Sequence, residues 1–359
     1  MSEFFRYPSI LKVDNKYLIA VNIGERHRGK TTIITLNENF HKLDEFVVDE
    51  STDYISHNFT IFKDSIGKKI YGMGGLIRNQ KPFYWRIHDK LSDVKRNALI
   101  LDNIRMKEKS GIFLFESVND KFNLKKKTDP VFSIKTFPKN ATLAPKGKKK
   151  YESKAPEFDS NICCFYSHIL NKYITFFRAN ICKGCRSVQL TTSDDLINWN
   201  NISKIKVPGF RICYDKVKAD NYYMFKCTEI YDRKIFIALT SYTNDKIRPT
   251  QSYIKKLVSY DAINWIDLGN LLDCSMFKDK IHINTHIAEI LYDESNKILD
   301  IFIFHNCFKP RCEICKYSFY LNEKEIEEQI SSWKIDISNK KNIIQFNYPK
   351  YNICNHENK

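Results

Sequence analysis

The chain has 359 residues, of which 43% are hydrophobic and 14% aromatic, and its formal net charge is +16 at pH 7. The 20 Tyr and 25 Phe residues exclude a disordered chain and favour β structure over a helix bundle. No apolar run approaches the roughly 18 residues of a membrane span, and the N-terminal residues do not form a secretory signal, so we expect a cytoplasmic protein without a membrane span.

The number of cysteines and the net charge limit which disulfides and binding partners are expected. The eleven cysteines are an odd number, so a complete disulfide framework is excluded. The excess of 58 Lys and Arg over 42 Asp and Glu favours anionic partners. The basic runs Lys125–Lys127 and Lys148–Lys150 lack the interleaved aromatic residues of a single-strand platform, and no nucleic-acid module signature occurs. We therefore expect a solvated, Lys-rich surface rather than a nucleic-acid partner.

The first part of the chain predicts short antiparallel strands separated by turns. Three strands are predicted between residues 4 and 36, two between residues 57 and 76, and one at the phrase GIFLFE. Residues 77–110 are charged and poorly patterned, which indicates a partly helical insertion. Residues 138–154 are rich in Lys and Pro and lack periodicity, which is typical of a connector.

The stretch Phe158–Trp199 contains the strand-like runs NICCFY, KYITFF and RSVQLTT and ends in the phrase SDDLINW. That phrase recurs as Ser259–Trp265, both copies read S-x-D-x-I-N-W, and Ser117–Phe122 is a degraded third copy. We expect a turn in which the Ser and Asp side chains accept hydrogen bonds from backbone N–H groups, while the Trp fills space between sheets. Two unrelated turns of similar sequence are the alternative. Recurrence of such a unit is typical of propellers.

After Trp199 the strand-like runs, beginning with RICYDKV, continue to the second copy of the turn, and residues 281–321 predict a further unit of three strands. Residues 322–359 predict an acidic helix at Asn322–Ser332 and then a tail, Trp333–Lys359, that closes the ring of sheets against the first sheet. Closure of this kind removes exposed sheet edges.

A resemblance to a known family supports the fold. The pattern S-x-D-L-x-x-W after a strand resembles the blade-closing turn of five-bladed β-propeller glycosidases, which include arabinanase-like and invertase-like hydrolases and mannoside-phosphorylase relatives. The run from Phe158 to Trp199 resembles a blade of a sialidase-like branch. The resemblance implies an all-β protein, in which residues 1–359 form one five-bladed β-propeller of four-stranded antiparallel blades. A protein of two β-sandwich domains is the competing class.

The resemblance also implies glycoside hydrolysis, in which carboxyl groups act at the axial ends of the innermost strands. Asp159 corresponds to the Asp that steadies the transition state in the resembled enzymes, and Asp215 and Glu229 are the further catalytic candidates. The predicted substrate-binding residues are His57, Asn58, Glu157, Arg178 and Glu289. Among them, Arg178 is suited to an anionic group of a glycan.

One departure from the family pattern bears on activity. The resembled hydrolases have an Asp at the start of the first inner strand, and this chain has Phe5–Pro8 there, without an acid. The nucleophile or base is therefore unassigned. A non-catalytic propeller that binds a glycan or another anion is the alternative to a glycoside hydrolase.

Two C-x-x-C pairs, Cys182 with Cys185 and Cys312 with Cys315, are predicted in turns between the second and third strands of their sheets. Two such turns are able to form a closed four-thiolate zinc site, so a structural zinc ion is one expectation. Independent free thiols are the other, because the two pairs lie far apart in the chain. No other cofactor is required.

Overall fold

The structure is a computed structural model, and it describes residues 4–24, 30–48, 58–64, 68–76, 111–118, 124–127, 129–133, 162–182, 185–211, 220–244, 251–273, 285–305, 311–322, 326–335 and 343–347. The predicted insertion at 77–110, the connector at 138–154 and nearly all of the predicted strand RICYDKV lie outside these residues. Within them, no helix has the length and apolar character of a membrane span.

The described chain is almost entirely β-strand, arranged in three four-stranded sheets and one eight-stranded sheet. A single parallel pair, Arg186 of one strand with Asn221 of the next, joins the two halves of the eight-stranded sheet. We describe the strands in chain order in groups of four, within which successive strands pair antiparallel. The first group is β1 (Phe4–Val13), β2 (Lys16–Gly24), β3 (Lys30–Asn37) and β4 (Lys42–Val47), and the second is β5 (Thr60–Lys63), β6 (Ile70–Leu76), β7 (Gly111–Ser117) and β8 (Leu124–Lys126). The third is β9 (Cys163–Ser167), β10 (Lys172–Cys182), β11 (Cys185–Ser193) and β12 (Ser203–Lys204). The fourth is β13 (Asp220–Ile230), β14 (Ile235–Asn244), β15 (Gln251–Ser259) and β16 (Trp265–Asp273), and the fifth is β17 (His286–Asp293), β18 (Ile298–His305), β19 (Arg311–Tyr320) and β20 (Ile343–Asn347).

The first strands of the five groups contact one another in cyclic order. β1 contacts β5 and β17, β5 contacts β9, β9 contacts β13, and β13 contacts β17. One hydrophobic cluster lies between each pair of neighbouring groups. Named in cyclic order by one residue from each side, the clusters contain Leu18 with Phe115, Met73 with Phe177, Phe176 with Trp265, Ile237 with Ile301, and Phe304 with Ile19. This cyclic packing argues against the alternative of two separate β-sandwich domains.

Both copies of the S-x-D-x-I-N-W phrase form the predicted turn. Asp195 Oδ1 accepts hydrogen bonds from the backbone N–H groups of Ile197 and Asn198 at 2.8 and 2.7 Å, and Asp261 Oδ1 accepts the equivalent two bonds at 2.9 and 2.7 Å. The Ser hydroxyl of each copy accepts a bond from the Asp N–H. Residues 119–123 of the degraded copy lie outside the described part of the chain.

The Trp of each copy folds back between two groups, as predicted. Trp199 Nε1 donates to the backbone carbonyl three residues earlier at 3.1 Å, and Trp265 makes the same bond at 2.8 Å. Trp199 packs on Phe132 of the second group. Trp265 is 1% exposed and packs on Phe176 and Phe225, which join the third and fourth groups. The repeated phrase therefore fixes neighbouring groups against each other.

The strands that the sequence did not predict are the outer strands β4, β8, β12 and β16. The predicted inner and middle strands are observed, apart from RICYDKV. The outer strands differ because they are short or partly exposed; for example, β4 reads KLDEFV and none of its residues is buried. A strand at a sheet edge faces solvent and does not need the apolar alternation that marks a buried strand.

The predicted path of the C-terminal tail is partly wrong. The acidic helix is present as α1 (Ile326–Ser332), but β20 pairs with β19 and completes the fifth group rather than pairing with the first. The physical reason is that β19 had an unpaired edge, whereas the first group already has its fourth strand, β4. Closure between the first and fifth groups comes from contacts of β1 with β17 and from their shared hydrophobic cluster.

Candidate functional site

The first strands of the groups begin at one end of the ring and finish at the other. At the beginning of β1, the Tyr7 hydroxyl lies 3.2 Å from the hydroxyl of Tyr223, near the start of β13, and the ring of His286, which begins β17, lies 5.1 Å from the Tyr223 ring. At the other end, Lys12 and Asp293 form an ion pair of 3.6 Å between the C-terminal ends of β1 and β17. The polar groups of the axis therefore have to be assigned to one end or the other.

Four residues gather around Tyr223 where the first strands begin. We call Tyr7, Arg178, Arg186, Tyr223 and His286 the strand-start cluster. They come from β1, β10, β11, β13 and β17, so four of the five groups contribute. Arg178 was predicted from the sequence as a binding residue, and the other four were not.

Local backbone geometry turns Tyr7 toward this cluster. The register between β1 and β2 shifts between Arg6 and Ser9, and Tyr7 has a φ of 48°. A left-handed conformation is costly for an aromatic residue and persists only where the surroundings require it. The bulge leaves Tyr7 only 6% exposed. The start of β1, where the resemblance led us to expect an acid, therefore carries a buried phenol.

The two arginines approach the cluster from one hairpin. Asn180 of β10 is paired with Arg186 of β11, so Arg178 and Arg186 lie on the same face of the sheet, two residues apart along the hairpin. Their guanidinium carbons lie 5.2 and 5.5 Å from the centre of the Tyr223 ring, within the range of a cation–π interaction. Arg178 is 3% exposed. Two positive charges thus meet at one aromatic ring.

His286 is the fifth member of the strand-start cluster. It is 4% exposed, and its Nδ1 has no hydrogen-bond partner among the described residues. Burial lowers the pKa of His286 to about 4, so the imidazole is neutral at pH 7. A neutral imidazole offers one N–H donor and one acceptor nitrogen to whatever lies beside it.

A buried ion pair crosses the axis below the cluster. Lys226 Nζ of β13 lies 3.0 Å from Glu289 Oε2 of β17, and the two side chains are 0% and 9% exposed. Glu289 Oε2 also accepts from the Ser9 hydroxyl at 3.0 Å and from the Ile10 backbone N–H at 3.3 Å, and the Ser9 hydroxyl lies 3.3 Å from that of Thr60. The Glu289 carboxylate thus links β1, β13 and β17, and the predicted role of Glu289 in substrate binding stays a prediction.

A cavity of about 570 Å³ follows the axis beyond this ion pair, and residues of all five first strands line it. Among its polar lining groups are the thiols of Cys163, Cys164 and Cys227, all of which are buried. Burial raises the pKa of Cys163 to about 12 and raises the pKa values of the other two well above their ordinary value. These thiols therefore stay protonated near neutral pH and do not act as nucleophiles.

Glu229 is at the opposite end of the ring from the strand-start cluster. Its carboxylate accepts hydrogen bonds from the Ser167 hydroxyl at 2.6 Å and from the backbone N–H groups of His168 and Ile169 at 2.7 and 3.4 Å. These donors form the turn that follows β9. Glu229 therefore holds the turn at the end of β9, whereas Asp159 precedes the beginning of β9 in the chain, and a catalytic role for Glu229 stays a prediction.

The second C-x-x-C pair does not lie in a turn. Cys312 and Cys315 are both inside β19, and both are buried. Residues three apart in a strand point to opposite faces, so these two thiols do not form a zinc knuckle. Cys182 and Cys185 lie opposite each other in the strand register at the β10–β11 turn, and their side chains lie outside the described part of the chain. The described residues contain no cluster of three or more metal-ligating side chains.

Four predicted site residues, His57, Glu157, Asp159 and Asp215, lie outside the described residues, and they stay predictions. Asn58 is described; it lies just before β5, is 0% exposed and has a φ of 54°. The structure therefore brings Arg178 into the strand-start cluster and places Glu289 at the axis and Glu229 at the far end.

The sequence reading missed Lys226, the axial partner of Glu289. A signal was present, because Lys226 is the one charge inside the otherwise apolar run YYMFKC. A charged residue in a buried strand requires a partner, and the partner had to come from another first strand. Tyr7, Arg186, Tyr223 and His286 carried no comparable signal, since each is ordinary in its own strand.

Comparison with solved structures identifies the fold. A thermostable family-43 glycoside hydrolase aligns with a TM-score of 0.52 at 9% identity, over 90% of this chain and 92% of that one. An endo-arabinase from Bacteroides thetaiotaomicron VPI-5482 aligns with a TM-score of 0.53 at 9% identity, over 89% and 95% of the two chains. The fold is that of the family-43 glycoside hydrolases. These are β-propeller enzymes, and we therefore call the groups of strands blades.

A third structure of the same kind is an exo-β-1,3-galactanase, 1,3Gal43A from Clostridium thermocellum, with a TM-score of 0.53 at 10% identity over 89% of this chain and 59% of that one. The sequence matches no protein-family model and no curated protein. At such identities a shared fold does not establish a shared activity, so activity has to be argued from the site.

Proposed function

We propose that the protein is a five-bladed β-propeller that acts as a glycoside hydrolase on a glycan bound where the first strands begin. The observation that carries the proposal is the ring of five first strands, in a chain that shares its fold over about nine-tenths of its length with glycoside hydrolases. In such a ring, the beginnings of the first strands meet at one axial mouth. The strand-start cluster supplies hydrogen-bond donors and aromatic surface at that mouth, both of which suit a sugar.

The carboxylates for hydrolysis are assigned by their position in the chain. Glycosidases need two carboxyl groups that flank the scissile bond, about 5 to 10 Å apart. Glu157 and Asp159 precede β9, Asp215 precedes β13, and these two first strands contact each other. We assign Asp159 as the group that stabilises the transition state and Asp215 as the second carboxylate. His57, which precedes β5, is assigned to a sugar hydroxyl.

A non-catalytic glycan-binding propeller is the second candidate, and a specific observation favours it. Both described carboxylates among the predicted site residues have structural partners: Glu229 holds a turn, and Glu289 is paired with Lys226. Tyr7 occupies the place of an acid at the start of β1. In this alternative the mouth binds a glycan through the same donors without cleaving it, and neither candidate requires a cofactor.

The test combines binding and turnover. The full-length protein is screened on a glycan array and assayed for hydrolysis of a panel of aryl glycosides. Hydrolysis that falls by about 10²-fold or more in Asp159→Asn and in Asp215→Asn supports the enzyme, because that is the scale of losing a positioned acid, base or stabilising group. Asp194→Asn, an exposed carboxylate paired with Lys172, is the matched control. Binding without turnover on any substrate identifies the second candidate, and the absence of both rejects the proposal.

A further inference from the structure

His286 is a buried imidazole with an unsatisfied nitrogen at the mouth of the ring. It begins the first strand β17, is 4% exposed, and its Nδ1 has no hydrogen-bond partner among the described residues. A buried polar atom without a hydrogen bond is costly, and water or a ligand commonly satisfies such an atom. The packing of the blades alone therefore does not explain an imidazole at this position.

The surroundings of His286 lead to the start of β1. The His286 ring lies 5.1 Å from the Tyr223 ring, and the Tyr223 hydroxyl lies 3.2 Å from the Tyr7 hydroxyl. The strand that His286 begins contacts both β1 and β13. Because the start of β1 carries Tyr7 and no acid, His286 is a proton acceptor that lies one aromatic ring away from the place where the resemblance led us to expect a carboxylate.

The proton affinity of His286 suits that role. Burial is the only cause that lowers its pKa to about 4, and the ordinary pKa of an Asp carboxyl group is about 3.9. A neutral imidazole with such a pKa binds a proton about as strongly as an ionised Asp does. It is also unprotonated at pH 7, so one of its nitrogens is able to accept a proton.

The elements packed around His286 leave Nδ1 available. Their charged and titratable groups are Tyr7 of β1, Arg178 of β10, Arg186 of β11, Asp220 and Tyr223 of β13, and His305 of β18. The two arginines pack on the Tyr223 ring, and the Asp220 carboxylate accepts bonds from the Arg211 backbone N–H and from the Tyr242 hydroxyl. Nδ1 of His305 lies 3.3 Å from the Thr285 hydroxyl. None of these groups forms a hydrogen bond with Nδ1 of His286.

We propose that His286 is the general base of glycoside hydrolysis, with its ring proton on Nε2 and its Nδ1 accepting a proton from the attacking water. The inference rests on the proposed function and names the group that fills the unassigned role of the base. Asp159 keeps its role as the stabiliser of the transition state, and Asp215 becomes the general acid. General acid and base groups of this kind act on the two oxygens that exchange at the anomeric carbon.

The step balances without a further reactant. The water oxygen forms a bond to the anomeric carbon while the glycosidic C–O bond breaks. One proton of the water passes to Nδ1 of His286, and the proton of the Asp215 carboxyl group passes to the leaving oxygen. The imidazolium then releases its proton to solvent and Asp215 takes one up, which restores both groups.

The test measures kcat and KM of the full-length protein on the nitrophenyl glycoside that it hydrolyses fastest. His286→Asn keeps a polar group near the position of Nδ1 but cannot hold a proton, and His286→Ala removes the ring. We expect kcat to fall by about 10²- to 10⁴-fold in both variants, the scale of general base catalysis, while KM stays within about 3-fold. A residue that only shapes the mouth or binds a hydroxyl would change KM and would be replaced well by Asn.

Azide distinguishes a base from a structural residue. Azide attacks the anomeric carbon without giving up a proton, so it does not need a base. In His286→Ala, added azide should restore turnover by at least about 10-fold and should form a glycosyl azide with the anomeric configuration opposite to that of the substrate, because a base acts on the face opposite the leaving group. The wild-type protein should not be accelerated by azide.

Controls address folding and the tautomer. His168→Ala removes an exposed imidazole from the turn after β9, at the far end of the ring, and should leave kcat unchanged. Thermal unfolding of each variant checks that the fold is intact. Nitrogen NMR of the wild-type protein labelled at its histidines gives a result that does not depend on any variant, since the proposal requires the His286 proton on Nε2 at pH 7.

The outcomes that contradict the inference leave the proposed function separable. A kcat of His286→Asn within 10-fold of the wild type, an inactive and folded His286→Ala that forms no glycosyl azide, or a His286 proton on Nδ1 each reject the base and leave a hydrolase that uses another group. A wild-type protein that hydrolyses no aryl glycoside rejects the enzyme and the inference together.

Discussion

The axial ion pair offers the sharpest test of how the ring is held together. Lys226 and Glu289 join the fourth and fifth blades at 3.0 Å, and neither side chain is more than 9% exposed. Replacing Lys226 with Met keeps the length of the side chain and removes its charge. The carboxylate of Glu289 then keeps its bonds from Ser9 and Ile10 but loses its only described counter-charge.

The expected cost follows from this burial. Removing one partner of a buried pair leaves an uncompensated charge and destabilises proteins by about 3 to 5 kcal/mol, whereas replacing both partners is often close to neutral. We therefore expect Lys226→Met to lower the free energy of unfolding by about 3 to 5 kcal/mol. The double variant Lys226→Met/Glu289→Gln should recover most of that loss, because no charge remains buried.

Urea unfolding at pH 7, followed by circular dichroism, measures these differences. Lys172→Met is the matched control, since Lys172 and Asp194 form a pair at 2.8 Å with side chains that are 38% and 72% exposed. Exposed pairs contribute at most about 1 kcal/mol. The reasoning is refuted if Lys226→Met costs no more than Lys172→Met, or if the double variant is as unstable as the sum of its two single variants.

Three further predictions concern other described side chains. Glu229→Ala should lower the free energy of unfolding by about 1 to 3 kcal/mol, because three donors of a turn lose their acceptor. Glycan binding, measured by calorimetric titration, should not change. The control is Glu294→Ala, which removes an exposed carboxylate nearby. Burial lowers the pKa of His286 from 6.5 to about 4, so its protonation favours the unfolded chain. The free energy of unfolding should therefore fall by about 3 kcal/mol as the pH drops from 6.5 to 4. Urea unfolding of His286→Leu at the same pH values should lack this loss. Asp195→Ala should cost about 1 to 2 kcal/mol through the lost turn bonds, whereas Asp194→Ala should stay within about 0.5 kcal/mol in the same assay.

The inner part of each blade could be predicted from the sequence, and the outer part could not. The run NICCFY is apolar because β9 packs against neighbours on several sides, and the structure confirms it as a first strand. The outer strands β8 and β12 have only three and two residues and leave no periodic pattern. The S-x-D-x-I-N-W turns were predictable because each is a local unit whose hydrogen bonds lie within seven residues.

The candidate site was less predictable, because its contacts are not local. Arg178 was found from its position at the end of a strand, but Tyr223 and His286 meet it only after three blades have packed together. Cys312 and Cys315 were predicted in a turn but lie in a strand, because the sequence pattern C-x-x-C is compatible with both. In β19 the hydrogen-bond ladder, from Arg311 paired with Asn347 to Cys315 paired with Ile343, decides between them.

The two ends of the ring carry different side chains, and this difference determines at which end a catalytic site is expected. At the end where Glu229 lies, its carboxylate is used to hold a turn, and three buried thiols nearby stay protonated. At the axis, the charge of Glu289 is matched by Lys226. Donors and cations remain concentrated where the first strands begin. A glycosidase must add two carboxylates to that end, and among the predicted acids only Glu157, Asp159 and Asp215 precede first strands in the chain. The choice between an enzyme and a binding protein therefore depends on those three acids and not on the acids of the axis.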